Sequence, residues 1–268
     1  MRLGIVGFGN VGQDVAARLT AGAIGGVELH AVAHTSSAVA EERVAKFSPT
    51  PKVLTLDQLA EECDLVIESA TASAMPGIAR AVLKAGKTLI SISVAGALAI
   101  PDLDELTRAH GGRVIFPSGA LPGLDLIRSA REGSILEVSI TSRLRIESLE
   151  TEPFITGSSI DLRPPQGGAV KVFTGNARDA ALAFPRHFNV AVTLALAGAG
   201  LERTRVEIWA DPSVKGSCHR VSLRSEDVGL ELESTGIPSS ANGRTSRIVA
   251  PSVMAAIRNI AEPIQIGS

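Results

Sequence analysis

"MRLGIVGFGNVGQDVA", residues 1–16, decides how the chain is read. An apolar run from Leu3 to Val6 leads into Gly7, Gly9 and Gly12, spaced G-x-G-x-x-G, and the stretch from Val11 to Leu19 has helical patterning. Glycines so placed permit a tight turn, close approach of backbone to a pyrophosphate, and close packing of helix on strand, while the helix N-terminus attracts phosphate charge. A plain glycine turn would use the same residues. The setting favours phosphate: a strand runs into the turn, a helix leaves it, and βα alternation continues beyond.

Strand-like runs recur at Val27 to Ala33, Leu65 to Glu68, Thr88 to Ile92 and Arg113 to Phe116. Amphipathic stretches at Ala74 to Lys84 and Leu103 to Ala109 lie between them. The strands are almost wholly apolar, as expected of a parallel sheet covered by helices on both faces. From Ile135 to Ile146 the pattern becomes a long strand with polar alternation, followed by similar runs at Arg205 to Ala210, His219 to Leu223 and Leu230 to Ser234. Such alternation suits a sheet with one wet face. The fold class expected is therefore α/β: an N-terminal Rossmann-type doubly wound parallel sheet (residues 1–118) and a C-terminal α+β domain with a mostly antiparallel sheet (residues 119–243). The apolar stretch 244–268 is expected to pack back on the first domain. "TEPFITGSSIDLRPPQGGAV", residues 151–170, reads as a loop able to close over a site.

Composition narrows the function classes. The 268 residues are 45% hydrophobic and 20% charged, with a formal net charge of −2, which describes a soluble globular protein rather than a nucleic-acid binder. The absence of tyrosine and the single tryptophan leave few stacking platforms for single strands. No apolar run is long enough to span a membrane, and the first is too short for a signal sequence, so a cytoplasmic location is expected. Cys63 and Cys218 have no partners at metal-ligand spacing; no metal site or disulfide framework is expected.

Candidate binding residues follow from the fold. The glycine turn offers Gly7, Phe8, Gly9, Asn10, Val11 and Gly12. A dinucleotide site that binds NAD usually has an acid at the end of the second strand, whereas this chain reads "VAHTSS" at residues 32–37. His34, Thr35 and Ser36 can bond a 2′-phosphate without repelling it, so NADP is expected to be accepted alongside NAD; a solvent-facing loop would have the same polarity. Ser69 and Ala70 ("DLVIESATASA", 64–74) and Ser93 ("SISVAGAL", 91–98) stand at carboxyl ends of strands, where ligands of such sheets bind. A cap or turn would explain them equally. His219 in "KGSCHRVSL", 215–223, can exchange a proton near neutral pH, which suits forming and hydrolysing an imine, although a lone strand histidine is more often structural. Its neighbour Cys218 points to the other face of the strand and makes no dyad with it. Arg186, His187 and Asn189 head an apolar helix, where they would cap it or point an amide at a cofactor.

The second half carries a resemblance. "SGALPGLDLI" (118–127), "VFTGNARDAALAFPRHFNVAVTLALAGAGLERTRVEIWADP" (172–212), "CHRVSL" (218–223) and "RTSRIVAPSV" (244–253), in that order after the glycine motif, resemble the L-aspartate dehydrogenase family. The resemblance implies NAD(P)-dependent interconversion of L-aspartate and iminoaspartate, which hydrolyses to oxaloacetate and ammonia. It also implies a homodimer, a dicarboxylic amino acid as substrate, and a context in pyridine-nucleotide biosynthesis. Carried over by position, it puts the catalytic histidine on His219 and nicotinamide-side contacts on Ala120 and Asn189. Arg143 matches the arginine of the family's TRKP pattern, and Arg244, Thr245 and Ser246 stay in register with a second family pattern; these are the candidates for the substrate carboxylates. The sequence also admits two rival readings: an oxidoreductase acting on another amino acid, imine or small aldehyde, and a nucleotide sensor without catalysis.

Overall fold

The computed structural model describes residues 1–185, 187–238 and 246–267, which form two compact units, residues 1–117 with 249–266, and residues 118–248 with Gly267. In the first unit the strands are β1 (Arg2–Val6), β2 (Glu28–Ala33), β3 (Lys52–Val53), β4 (Leu65–Glu68), β5 (Thr88–Ser91) and β6 (Arg113–Ile115). They pair in parallel in the order β3-β2-β1-β4-β5-β6, so the winding reverses between β1 and β4. The helices are α1 (Asn10–Thr20), α2 (Ser37–Val44), α3 (Leu56–Glu62), α4 (Met75–Lys84) and α5 (Leu103–His110).

Local chemistry sets their ends. Thr55 and Gln58 form a reciprocal capping box at the start of α3, Pro76 opens α4, and Gly111 ends α5 in the left-handed region. Both faces of the sheet are covered. On one, Leu3 and Ile5 pack with Val15 and Leu19 of α1 and with Val253 and Ile257; on the other, Val66 and Leu89 pack with Leu59 of α3 and Val82 and Leu83 of α4. Val253 and Ile257 belong to the last helix, Val249–Ala261, which packs within this unit and is tied to it by Arg258 Nη2 donating to the Ala23 carbonyl at 2.8 Å.

The second unit contains α6 (Leu124–Arg131), β7 (Ile135–Leu144), α7 (Ile146–Leu149), α8 (Pro153–Thr156), β8 (Val170–Asn176), α9 (Ala177–Ala183), α10 (Asn189–Ala197), β9 (Thr204–Ala210), β10 (Ser217–Ser225) and β11 (Gly229–Gly236). Its sheet runs β11-β10-β7-β9-β8, antiparallel except for the β7–β9 pair. One face carries Ile140, Val206, Ile208, Val221 and Leu223 against the apolar residues of α6, α9 and α10; alternate residues on the other face are exposed or half-buried.

Three details depart from the sequence pattern. The long strand stops at Leu144, because Ile146 already belongs to α7. The stretch 151–170 is no free loop: it contains α8, and its Ile155 and Leu162 are buried in the core. Strands β3 and β8 add to those expected.

Candidate active site

The glycine turn is built for close approach. Gly7 sits at φ +84°, and a Cβ there would lie 2.6 Å from the Ala70 nitrogen; a Cβ on Gly12 would lie 2.7 Å from the Gly7 carbonyl oxygen. Gly9 differs: among the described residues nothing lies within 4 Å of a Cβ built on it. It is also the N-cap of α1, whose first helical hydrogen bond is Gln13 N–H to the Gly9 carbonyl, so the amides of Asn10, Val11 and Gly12 precede the helical ladder. The open side of Gly9 and this uncapped positive helix end fit a pyrophosphate. Phe8 contributes backbone only; its ring is buried edge-on against Phe47.

Beside that turn, the ends of β4 and β5 are knitted by Glu68, which is fully buried. Its carboxylate accepts four hydrogen bonds: Oε1 from Ala70 N–H at 2.7 Å and Ser93 Oγ at 2.9 Å, Oε2 from Ser91 Oγ at 2.6 Å and Ser93 N–H at 3.1 Å. Ser69 Oγ donates to the Gly7 carbonyl at 2.5 Å. The side chains of Ser69 and Ser93 are thus committed to the turns themselves. Sequence alone read this stretch as a cap or a binding edge; the acid that ends an otherwise apolar strand was the signal for the clamp.

At the end of β2, His34 Nδ1 accepts the Ser36 amide at 3.1 Å, and Ser36 Oγ accepts from Val39 as the N-cap of α2; Thr35 is exposed. Arg43, on α2, donates from Nη1 to the Phe8 carbonyl at 2.6 Å and so brings a guanidinium onto the glycine turn.

In the second unit, His219 lies on the helix-covered face of β10 and is only 5% exposed. Cross-strand register places Ser142 of β7 and Ser234 of β11 directly opposite it, so these three side chains share one face. His219 Nδ1 and Ser142 Oγ are 2.9 Å apart, and Ser234 Oγ donates to the Ala120 carbonyl at 2.7 Å. Burial pushes the imidazole down from its ordinary 6.5 to about 4, so the ring is neutral near pH 7. Ser142 and Ser234 were not singled out in the sequence. Each interrupts an inward-facing apolar row, Ile140 before Ser142 and Leu230 and Leu232 before Ser234, and that interruption was the available signal.

Register separates Arg143 from this row. It pairs with Cys218, so its side chain leaves the opposite face, where Nη1 donates to Asp211 Oδ2 at 2.7 Å and the guanidinium lies 5.3 Å from the Trp209 ring centre. A groove of about 1020 Å³, lined by Glu137, Ser139, Arg205 and Glu207 among others, runs along that same outer face. Ser246 Oγ is buried without a hydrogen-bond partner among the described residues and lines a cavity of about 30 Å³ with Ser148, His187, Ser217 and Gly236. Ser217 is two residues before His219 on the same strand face. Asn189 is the first residue of α10. Arg186, Arg244 and Thr245 lie outside the described residues.

The model for the C-terminal domain of aspartate dehydrogenase matches residues 125–260, and the model for the NAD-binding domain of homoserine dehydrogenase matches residues 7–117. The L-aspartate dehydrogenase of Bradyrhizobium diazoefficiens is 40% identical over 100% of this chain and 94% of its own length. The chain belongs to the aspartate dehydrogenase family. Another member of this family, the L-aspartate dehydrogenase of Methanocella arvoryzae, is 35% identical over 100% of this chain and 99% of its own. The crystal structure of the family's Thermotoga maritima member, an aspartate dehydrogenase, aligns with a TM-score of 0.75 at 25% identity, covering 100% of this chain and 99% of the other. As a member of the aspartate dehydrogenase family, the chain is an oxidoreductase with a pyridine-nucleotide-binding domain.

Proposed function

We propose that this chain is an NAD(P)-dependent L-aspartate dehydrogenase, interconverting L-aspartate and iminoaspartate, which hydrolyses to oxaloacetate and ammonia. The observation that carries the reading is His219: a buried, neutral imidazole oriented by Ser142, inside the region matched by the aspartate dehydrogenase model. When bound, the nicotinamide supplies the acceptor or donor for the hydride on Cα. The chain's own residues anchor, orient and move protons. The amides at the start of α1, with the open side of Gly9, hold the pyrophosphate. In the tautomer whose Nδ1–H donates to Ser142, the Nε2 lone pair of His219 takes a proton from the substrate ammonium, releases it to solvent after the hydride has left Cα, and, free again, takes a second from the water that attacks the imine. Asn189 offers its amide to the nicotinamide side, and Ala120 supplies a backbone contact with a small side chain. Ser246, together with Arg244 and Thr245, is assigned to the substrate carboxylates. Arg143 is left out of that set, because it is bound to Asp211 on the other face of the sheet.

Dual use of NADP and NAD is supported by the missing acid at the end of β2 and by the Arg43 guanidinium at the glycine turn. We assign the exposed sheet face, which carries Trp209 between Arg143 and Lys171, to pairing with a second copy in a cytoplasmic homodimer; sedimentation tests it. No helix among the described residues is long and apolar enough to cross a membrane. A panel of 2-oxo acids with ammonium and either NADPH or NADH tests the substrate: oxaloacetate is expected to be reduced fastest, and faster reduction of another acid would replace aspartate in this reading.

A further inference from the structure

At the rim formed by the ends of β4 and β5, hydrogen-bond donors are turned inward. The amides of Ser69 and Ile92 donate to the carbonyls of Val6 and Glu68 at 2.9 and 3.2 Å, and those of Ala70 and Ser93 to the Glu68 carboxylate at 2.7 and 3.1 Å. The hydroxyls of Ser91 and Ser93 donate to the same carboxylate, and that of Ser69 to the Gly7 carbonyl. The oxygens these residues have left to offer, backbone carbonyls and the spare lone pairs of the serine hydroxyls, accept hydrogen bonds. At the start of α1, by contrast, the outward groups are amides, which donate. The two edges flank the point where the strand order reverses, between β1 and β4, where ligands of such sheets bind. A ligand spanning them therefore meets donors suited to phosphate at one edge and acceptors suited to sugar hydroxyls at the other.

We infer that Glu68 is a positioning residue for the cofactor: by drawing these donors inward it makes the β4–β5 rim a subsite for the hydroxyls of the ribose on the nicotinamide side, and confines the phosphates to α1. It acts through Ala70 and Ser93 without touching the ligand. The inference rests on the pyridine-nucleotide reading and is independent of the amino acid substrate.

The test is equilibrium binding of ADP and of ADP-ribose, which adds the second ribose, to the full chain without any amino acid. In the wild type ADP-ribose is expected to bind at least tenfold more tightly than ADP. Glu68→Gln puts an amide N–H₂ against inward donors, and should erase that ratio while changing ADP affinity less than twofold. Ser91→Ala and Ser93→Ala, which each remove a hydroxyl and keep the carboxylate, should lower the ratio two- to fivefold and serve if Glu68→Gln does not fold. A structural role alone would weaken both ligands together. Ratios unchanged in the variants, equal weakening of both ligands, or a wild type that does not distinguish them, would overturn the inference. Turnover of aspartate by a wild type that fails this test would leave the proposed function standing.

Discussion

Glu68 in the first unit and His219 in the second are both buried titratable side chains near strand ends, and their surroundings are opposite. Glu68 is met by four donors from the ends of β4 and β5, so its buried oxygens are satisfied by groups that it holds in place. His219 has the Ser142 hydroxyl at one ring nitrogen and is shut off from water by burial, so the charged form is disfavoured. The first arrangement fixes a backbone shape. The second sets a protonation state. The first unit thus serves as a rigid cradle and the second supplies a proton acceptor, which predicts that the two respond differently to mutation and to pH.

The largest effect separates them by activity. His219→Ala should lower turnover by about 10²- to 10⁴-fold, the usual range for a positioned acid or base, with cofactor affinity within twofold of wild type. Parallel loss of both would contradict the division of labour.

Next comes pH. Because the folded ring titrates near 4 and the unfolded one near 6.5, the unfolded chain holds the extra proton between those values, and stability falls as pH falls through that window. The full contribution is about 3 kcal/mol at about 1.4 kcal/mol per pH unit, with no further loss from this group below pH 4. Urea unfolding of wild type and His219→Gln at pH 7 and pH 4 measures it; the variant should lack this share of the acid sensitivity.

The glycines sharpen the picture of the cradle. Gly12→Ala drives a Cβ against the Gly7 carbonyl and should cost about 1–3 kcal/mol of stability. Gly9→Ala meets open space, so it should leave urea stability nearly unchanged and weaken NADPH binding about tenfold by filling the pyrophosphate cradle.

The smallest effect is expected outside both regions. Arg143→Ala should cost about 1 kcal/mol or less through its half-exposed pair with Asp211 and leave KM for aspartate unchanged. A large rise in KM would return Arg143 to the substrate site.

Much of this was legible in the sequence, and the exceptions have physical reasons. The doubly wound sheet could be read because β1, β4 and β5 are apolar runs set between amphipathic helices. Strand β3 could not, since two residues carry no periodicity. His219 could be named, but Ser142 could not be joined to it, because a partner 77 positions away is set by strand register and not by local pattern. The same register moves Arg143, one residue along β7, to the opposite face. Glu68 was visible as an acid ending an apolar strand, yet the inward turn of its neighbours' donors is a tertiary fact.

The most direct measurement of the central claim is the absorbance of NADPH in the presence of the wild-type chain, with oxaloacetate, with ammonium, and with both. The account predicts loss of NADPH only when both are present, and its near-abolition in His219→Ala. No loss with both, or equal loss with oxaloacetate alone, would contradict it.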